Sequence, residues 1–476
     1  SVTTNKLGLV SITITKKWVD GNNQYNTRPA AGGNQYDWKV DFVVQVKGND
    51  GEWTNFVPDG DTTPLIKPIY GNNKNEAEKP VNSGSITISG LPQGTYRARE
   101  LQPNYNASDG IDENEIVENN ETFHEGIYNA TYQDDGPSNV TTATNTLVNI
   151  PAGGTIRVEK EWHAPDGTVL PESITVTLQY RAAGTQNAWQ TFPYSGEVTL
   201  NAENEWKYTW TNLPQSMQGV GKVEYQVVEA DPGAGYLEVK EDDGSDYTWT
   251  FVNVSTTSLT VTKEWKGVAE EDWEEVVVQL YRSTDGSTTN GELVDGKTLI
   301  LDGEPGDENG WTGTFDNLPA YDADGKQYTY FAKEVSVDGV PVDSDDFDFI
   351  VTYDPNKSDD VFTIINTRKT EVIGTKTWVG GSDSSIQLNL YRTTYAQADE
   401  NSNTWELVKD VQPVWNKTDT DTWTYTFTDL PACDASEKEY YYRVTEEPLP
   451  GYDSKDEGNG NFTNVKEGSL TVYKNV

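Results

Sequence analysis

The stretch LTVTKEW, residues 259–265, alternates as a strand with one buried face does, setting Leu259, Val261, Lys263 and Trp265 on one side and Thr260, Thr262 and Glu264 on the other. The lysine is on the apolar side. ITITKKW at 12–18, IRVEKEW at 156–162 and VIGTKTW at 372–378 repeat the pattern, placing Lys16, Lys160 and Lys376 two residues before Trp18, Trp162 and Trp378. A lysine on a core face is costly unless it is neutral, paired or consumed by a reaction. Four of them in register mark both a repeat and a chemistry.

Three further landmarks follow each lysine strand. A turn comes first, in ITISGLP (86–92), WKYTWTNLP (206–214), WTGTFDNLP (311–319) and WTYTFTDLP (423–431). Next is a strand ending in glutamate, YRARE, YQVVE, YTYFAKE and YYYRVTE, closing at Glu100, Glu229, Glu334 and Glu446. An apolar strand ending in asparagine is last, TLVNI, TFVNV, TIINT and VYKNV, which gives Asn149, Asn253, Asn366 and Asn475. The next lysine follows each asparagine by about ten residues (160−149, 263−253, 376−366). The boundaries expected are 1–150, 151–254, 255–367 and 368–476, with PAGG at 151–154 the clearest linker.

Strands such as SITVTLQYR and IQLNLYR, with loops of Gly, Asp, Asn and Pro between them, predict an all-β chain: a tandem array of four β-sandwich domains. The first repeat is enlarged by insertions at 58–84 and 103–140. The 476 residues carry 35 basic and 77 acidic side chains, a net charge of −42, which disfavours nucleic acid and anionic membranes as partners. No apolar run is long enough to span a bilayer, and SVTTNKLG lacks a signal-peptide core, so a cytosolic protein or an excised mature fragment is expected. The single cysteine, Cys433, excludes an intrachain disulfide, so any covalent staple must be of another kind.

Parity sets the glutamates and asparagines on the core face as well. Glu229 aligns with Tyr225 and Val227, and Asn253 with Phe251. One inward polar residue is most often a strand-end side chain whose head reaches water. A buried Lys–Glu pair bonded to an asparagine is the second structural reading. Recurrence of the trio in every repeat favours amide formation: burial lowers the lysine towards a nucleophilic amine and raises the glutamate so that it keeps a proton. The amine attacks the asparagine carboxamide, the glutamate shuttles protons, and ammonia leaves.

These residues resemble the B-type repeat domain of Gram-positive collagen adhesins (Cna B-type) and of many sortase-assembled pilins. VVEADPGAGY at 227–236 and VTEEPLPGY at 444–452 strengthen the likeness. The resemblance implies a transthyretin-like or inverse-immunoglobulin sandwich, intramolecular Lys–Asn isopeptide bonds catalysed by the glutamate, and a stalk role on the cell wall. It assigns the trios Lys160, Glu229, Asn253; Lys263, Glu334, Asn366; and Lys376, Glu446, Asn475. In the first repeat Lys16 and Glu100 match, and Asn145 competes with Asn149; Asn149 is preferred because TLVNI aligns with TFVNV and restores the spacing to the next lysine. The bonds would close loops of 133, 93, 103 and 99 residues (149−16, 253−160, 366−263, 475−376).

No external turnover, cofactor or metal is expected. The leading alternative is a ligand-binding tip module in the first repeat, for a host extracellular-matrix protein or a glycan; sortase and other pilus subunits are further expected partners. An accessory role in a polysaccharide-degrading enzyme has only the aromatics in its favour. Trp38 and Trp53 are expected in the core, with a sugar platform as the other reading. His124 and His163 are expected in solvent-facing loops, DADG (322–325) and PDGD (58–61) are incomplete calcium loops, and Lys474 in VYKN faintly resembles a pilin polymerisation lysine.

Overall fold

The computed structural model describes residues 8–32, 36–71, 81–108, 110–241, 244–303, 310–358, 361–399, 402–468, 472 and 474. The chain divides into two compact units, Ser1–Ser255 and Thr256–Val476. Each contains two repeats, and each repeat has its own hydrophobic core. The architecture is a tandem array of β-sandwiches.

In every repeat the lysine strand lies inside one sheet. These strands are Val10–Val19, Ile156–His163, and the second halves of Thr248–Lys266 and Val361–Val379. On one side each pairs antiparallel with the strand of the turn motif: Ser83–Leu91, Lys207–Trp210, Thr312–Pro319 and Thr422–Pro431. On the other side it pairs in parallel with the last strand of its own repeat: Val140–Leu147, the first halves of Thr248–Lys266 and Val361–Val379, and Asn461–Lys466. A parallel neighbour requires a long crossover, and here the rest of the repeat supplies it. First and last strands are thereby adjacent.

The glutamate strands Tyr96–Glu100, Gly221–Glu229, Thr329–Val337 and Tyr441–Glu446 belong to the facing sheet. They pair antiparallel with Lys39–Lys47, Ser173–Ala182, Val276–Ser283 and Leu388–Thr393. Ile156, Val158, Val176, Leu178, Val227 and Phe251 interlock between the two layers of the second repeat, as inner faces of stacked sheets do.

Two landmarks turn out to be one device. The residue before each Leu-Pro has left-handed backbone, with φ of 80° at Gly90, 57° at Asn212, 55° at Asn317 and 57° at Asp429. Gly, Asn and Asp tolerate that conformation best. The leucine that follows is buried, and the proline carbonyl accepts a hydrogen bond from the tyrosine four residues before the glutamate on the glutamate strand. The pairs are Tyr96 to Pro92 (2.9 Å), Tyr225 to Pro214 (2.8 Å), Tyr330 to Pro319 (2.7 Å) and Tyr442 to Pro431 (2.6 Å). Thus the turn sets the register of the strand carrying the glutamate.

The junctions differ. Between the first and second repeats Pro151–Gly154 forms a tight turn in which Ala152, Gly153 and Gly154 have φ of 58°, 66° and 75°. There Tyr25 leaves the first repeat to pack against Phe192 in the core of the second, ring centroids 5.1 Å apart, and its hydroxyl donates to the Thr211 carbonyl. The third repeat, by contrast, passes into the fourth within the single strand Val361–Val379.

Candidate functional site: four buried Lys–Glu–Asn clusters

The parallel register determines which asparagine meets which lysine. Trp162 is opposite Asn253, and Trp265 is opposite Asn366. Opposed residues in a ladder share a face, so the lysine two residues before each tryptophan is a diagonal neighbour of the asparagine. From the facing sheet the glutamate reaches both. Lys160 Nζ is 3.4 Å from Glu229 Oε1, and Asn253 Nδ2 donates to Glu229 Oε2 at 2.7 Å. Lys263 Nζ is 3.6 Å from Glu334 Oε2, and Asn366 Nδ2 donates to Glu334 Oε1 at 2.8 Å.

The outer repeats hold the same cluster with different asparagines. Lys16 Nζ is 3.3 Å from Glu100 Oε2, and it is Asn145, opposite Trp18, that donates to Glu100 Oε1 at 2.9 Å. The preference for Asn149 is therefore corrected. Asn149 follows the end of Val140–Leu147 and bridges to Pro214 of the next repeat, with the Cβ that Gly154 lacks falling against its carboxamide. In the fourth repeat Lys376 Nζ is 2.6 Å from Glu446 Oε2, and Asn464 donates to Glu446 Oε1 at 2.6 Å. Asn464 is opposite Trp378, the position expected for Asn475, which lies outside the described residues.

None of the eight lysine and glutamate side chains is more than 3% exposed. Burial brings Lys16 and Lys160 down to about 8 and Lys263 to about 7, and it lowers Lys376 as well, with the paired glutamate opposing the shift each time. Burial likewise raises Glu100, Glu229 and Glu334. The pairs of the first three repeats are thus biased towards neutral amine and protonated acid. The carboxamide oxygens of Asn145, Asn253, Asn366 and Asn464 are buried without a hydrogen-bond partner.

Around each cluster stands an aromatic box that parity alone does not reveal. Each lysine Nζ lies over the ring of its tryptophan, at 4.2 Å for Trp18, 4.3 Å for Trp162 and Trp265, and 4.9 Å for Trp378. A second tryptophan meets that ring edge-on: Trp38, Trp206, Trp311 and Trp423, at 5.2–5.7 Å. A third ring closes the box at 4.9–5.3 Å, from Tyr128, Tyr236, Phe349 and Tyr452. The only sequence trace of the third ring is the aromatic after the glutamate strand, as in GAGY and PLPGY.

The family model for the Cna protein B-type domain matches residues 156–254, 259–367 and 372–465. The chain belongs to the Cna B-type domain family. Proteins with Cna B-type domains of this kind are structural rather than enzymatic. A collagen adhesin of Staphylococcus aureus is 28% identical over 502 residues; the alignment covers 99% of this chain and 33% of that protein, so the chain spans about a third of the relative's length. Among solved structures, two B repeat units of the S. aureus collagen-binding protein are 22% identical, covering 97% of this chain and 100% of that one at a TM-score of 0.20. A streptococcal ancillary pilin is 14% identical, covering 75% of this chain and 99% of that one at a TM-score of 0.24.

Other expectations resolve locally. Trp38 is a core residue whose Nε1 donates to the Val81 carbonyl at 2.9 Å, while Trp53 lies beneath Arg97 at 4.5 Å. His124 is buried and stacked on Tyr128, and His163 is half-buried at a strand end, so neither is a solvent-facing loop residue. Asp322 of DADG accepts from the backbone N–H groups of Asp324 and Lys326, which makes it a turn former. Among the described residues no group of three or more His, Cys, Asp or Glu could hold a metal. Cys433 is a free, buried thiol.

Proposed function

We propose that this chain is stalk material of a Gram-positive cell-surface adhesin or pilin, each of whose repeats closes one Lys–Asn isopeptide bond. The observation behind this reading is the fourfold cluster in which one buried glutamate touches both a lysine amine and an asparagine carboxamide. The bonds proposed are Lys16–Asn145, Lys160–Asn253, Lys263–Asn366 and Lys376–Asn464, with Glu100, Glu229, Glu334 and Glu446 as proton shuttles.

In each, a proton passes from lysine to glutamate and the free amine attacks Cγ. The carboxyl then delivers its proton to the departing Nδ2, the Cγ–Nδ2 bond breaks, and the carboxylate takes the second proton from Nζ. Amine and carboxamide become a secondary amide and ammonia, with no oxidant or cofactor. Each lysine reacts once, so the chemistry assembles the protein and turns over nothing external.

The relatives named collagen adhesin and ancillary pilin support a surface location and either a matrix protein or pilus subunits as partners. On this reading sortase is the enzyme that would attach the parent protein to the wall. Intact-mass measurement tests the chemistry: a deficit of four ammonia is expected, and Glu229→Ala should leave three. A mass equal to that of the unmodified chain would refute the reading.

A further inference from the structure

We infer that the tryptophan two residues after each lysine is a catalytic residue, whose indole N–H receives the negative charge that develops on the asparagine oxygen. This inference rests on the isopeptide reading and adds a residue to its machinery. In all four clusters the glutamate holds the carboxamide by its nitrogen, where a proton is needed for ammonia to leave. That carboxyl does not serve the oxygen. Attack on Cγ pushes the carbonyl electron pair onto Oδ1, and an oxyanion in a water-excluded site needs a donor already in place.

One buried donor recurs without an acceptor in all four repeats: Nε1–H of Trp18, Trp162, Trp265 and Trp378. It belongs to the residue directly opposite each asparagine. The acceptor atom lacking a partner in all four repeats is that asparagine's Oδ1. Orphaned buried polar groups are uncommon, and a donor and an acceptor orphaned on paired residues four times over call for a reason. A donor unpaired in the ground state and engaged only as charge develops speeds the step, whereas one bound equally in both states does not. Two flanking rings pack edge-on against the indole and restrict its movement. The same ring, lying under the amine, places nucleophile and oxyanion donor on one rigid plate.

The test replaces Trp265 in the full chain with 3-benzothienylalanine, which keeps the ring and its volume but has sulfur in place of N–H. Chains made by cell-free synthesis are quenched at intervals, and cross-linked peptides are quantified by mass spectrometry in the protease-resistant fraction, so that unfolded chains do not enter the comparison. The bond of the third repeat should form about 10²- to 10³-fold more slowly than in the unsubstituted chain, while the second and fourth repeats proceed at their usual rate. The same replacement at Trp162 should move the slow step to the second repeat. Unchanged rates at both positions would overturn the inference and leave the isopeptide reading standing. Absence of cross-linked peptides from the unsubstituted chain would instead refute that reading.

Discussion

Asn464 lies opposite Trp378 across a parallel pair of strands, in the register that sets Asn145 opposite Trp18. The lysine two residues earlier then meets the carboxamide on the same face. From this relationship follows the choice of electrophile proposed for the first and fourth repeats.

Asn145→Ala and Asn464→Ala should each reduce the ammonia deficit by one, and the double variant by two. Asn149→Ala and Asn475→Ala should leave four. Intact mass with peptide mapping distinguishes the two sets.

Stretching single molecules by their termini should separate linked from unlinked repeats. With Lys160 joined to Asn253, the 92 residues between them (161–252) would be shielded from tension. Glu229→Ala should add one unfolding step of about 300 Å, at roughly 3.3–3.6 Å per extended residue. Thermally, the same variant should lose on the order of 4 kcal/mol in that repeat, by analogy with disulfides closing loops of similar length.

Asn366→Ala traps the third repeat with Lys263 and Glu334 facing each other unreacted. Between about 7, the native value for Lys263, and its ordinary 10.5, the unfolded lysine holds a proton that the native one lacks, so stability should rise with pH. Glu334 acts in the other direction. Its raised pKa makes the native state keep a proton as pH climbs past the ordinary 4.5, and stability should fall through that window. Calorimetry should therefore show a dip between the two windows, absent when Lys263→Met and Glu334→Gln are added.

Tyr25 is contributed by the first repeat but buried in the second. Tyr25→Ala should cost the second repeat about 3 kcal/mol, as large-to-small core changes do. Tyr25→Phe should cost about 1 kcal/mol, for the lost bond to the Thr211 carbonyl. Denaturant titration of both variants checks the ranking, and the Lys16–Asn145 bond should still form in each.

Strand parity made most of this fold readable, because a two-residue period reports which face a side chain takes whatever it eventually touches. Lys160, Glu229 and Asn253 could be placed on a common face that way, and the structure brings them together. Spacing was the weaker guide. Asparagine and next lysine are ten residues apart (263−253, 376−366) where one continuous strand carries both, as in Thr248–Lys266 and Val361–Val379. At the first junction the Pro151–Gly154 turn intervenes and the separation becomes fifteen (160−145), so the ten-residue rule selected Asn149. In the fourth repeat NFTNV at 461–465 matches TFVNV at 250–254, with Phe462 and Phe251 both in the core, and that likeness was the available signal for Asn464. The aromatic boxes were not legible: Trp18 and Tyr128 are 110 residues apart (128−18), and only the closed sandwich makes them neighbours.

Parallel adjacency of the first and last strands also imposes a chronology. The ribosome makes the lysine at the start of a repeat and its asparagine at the end. Every strand in between must therefore exist, and the last must dock in register, before Nζ and Cγ can meet. A half-made repeat remains chemically silent, and a slipped one presents the wrong face. Each amide would then be a permanent record that its repeat folded to completion, written only after the final strand arrived.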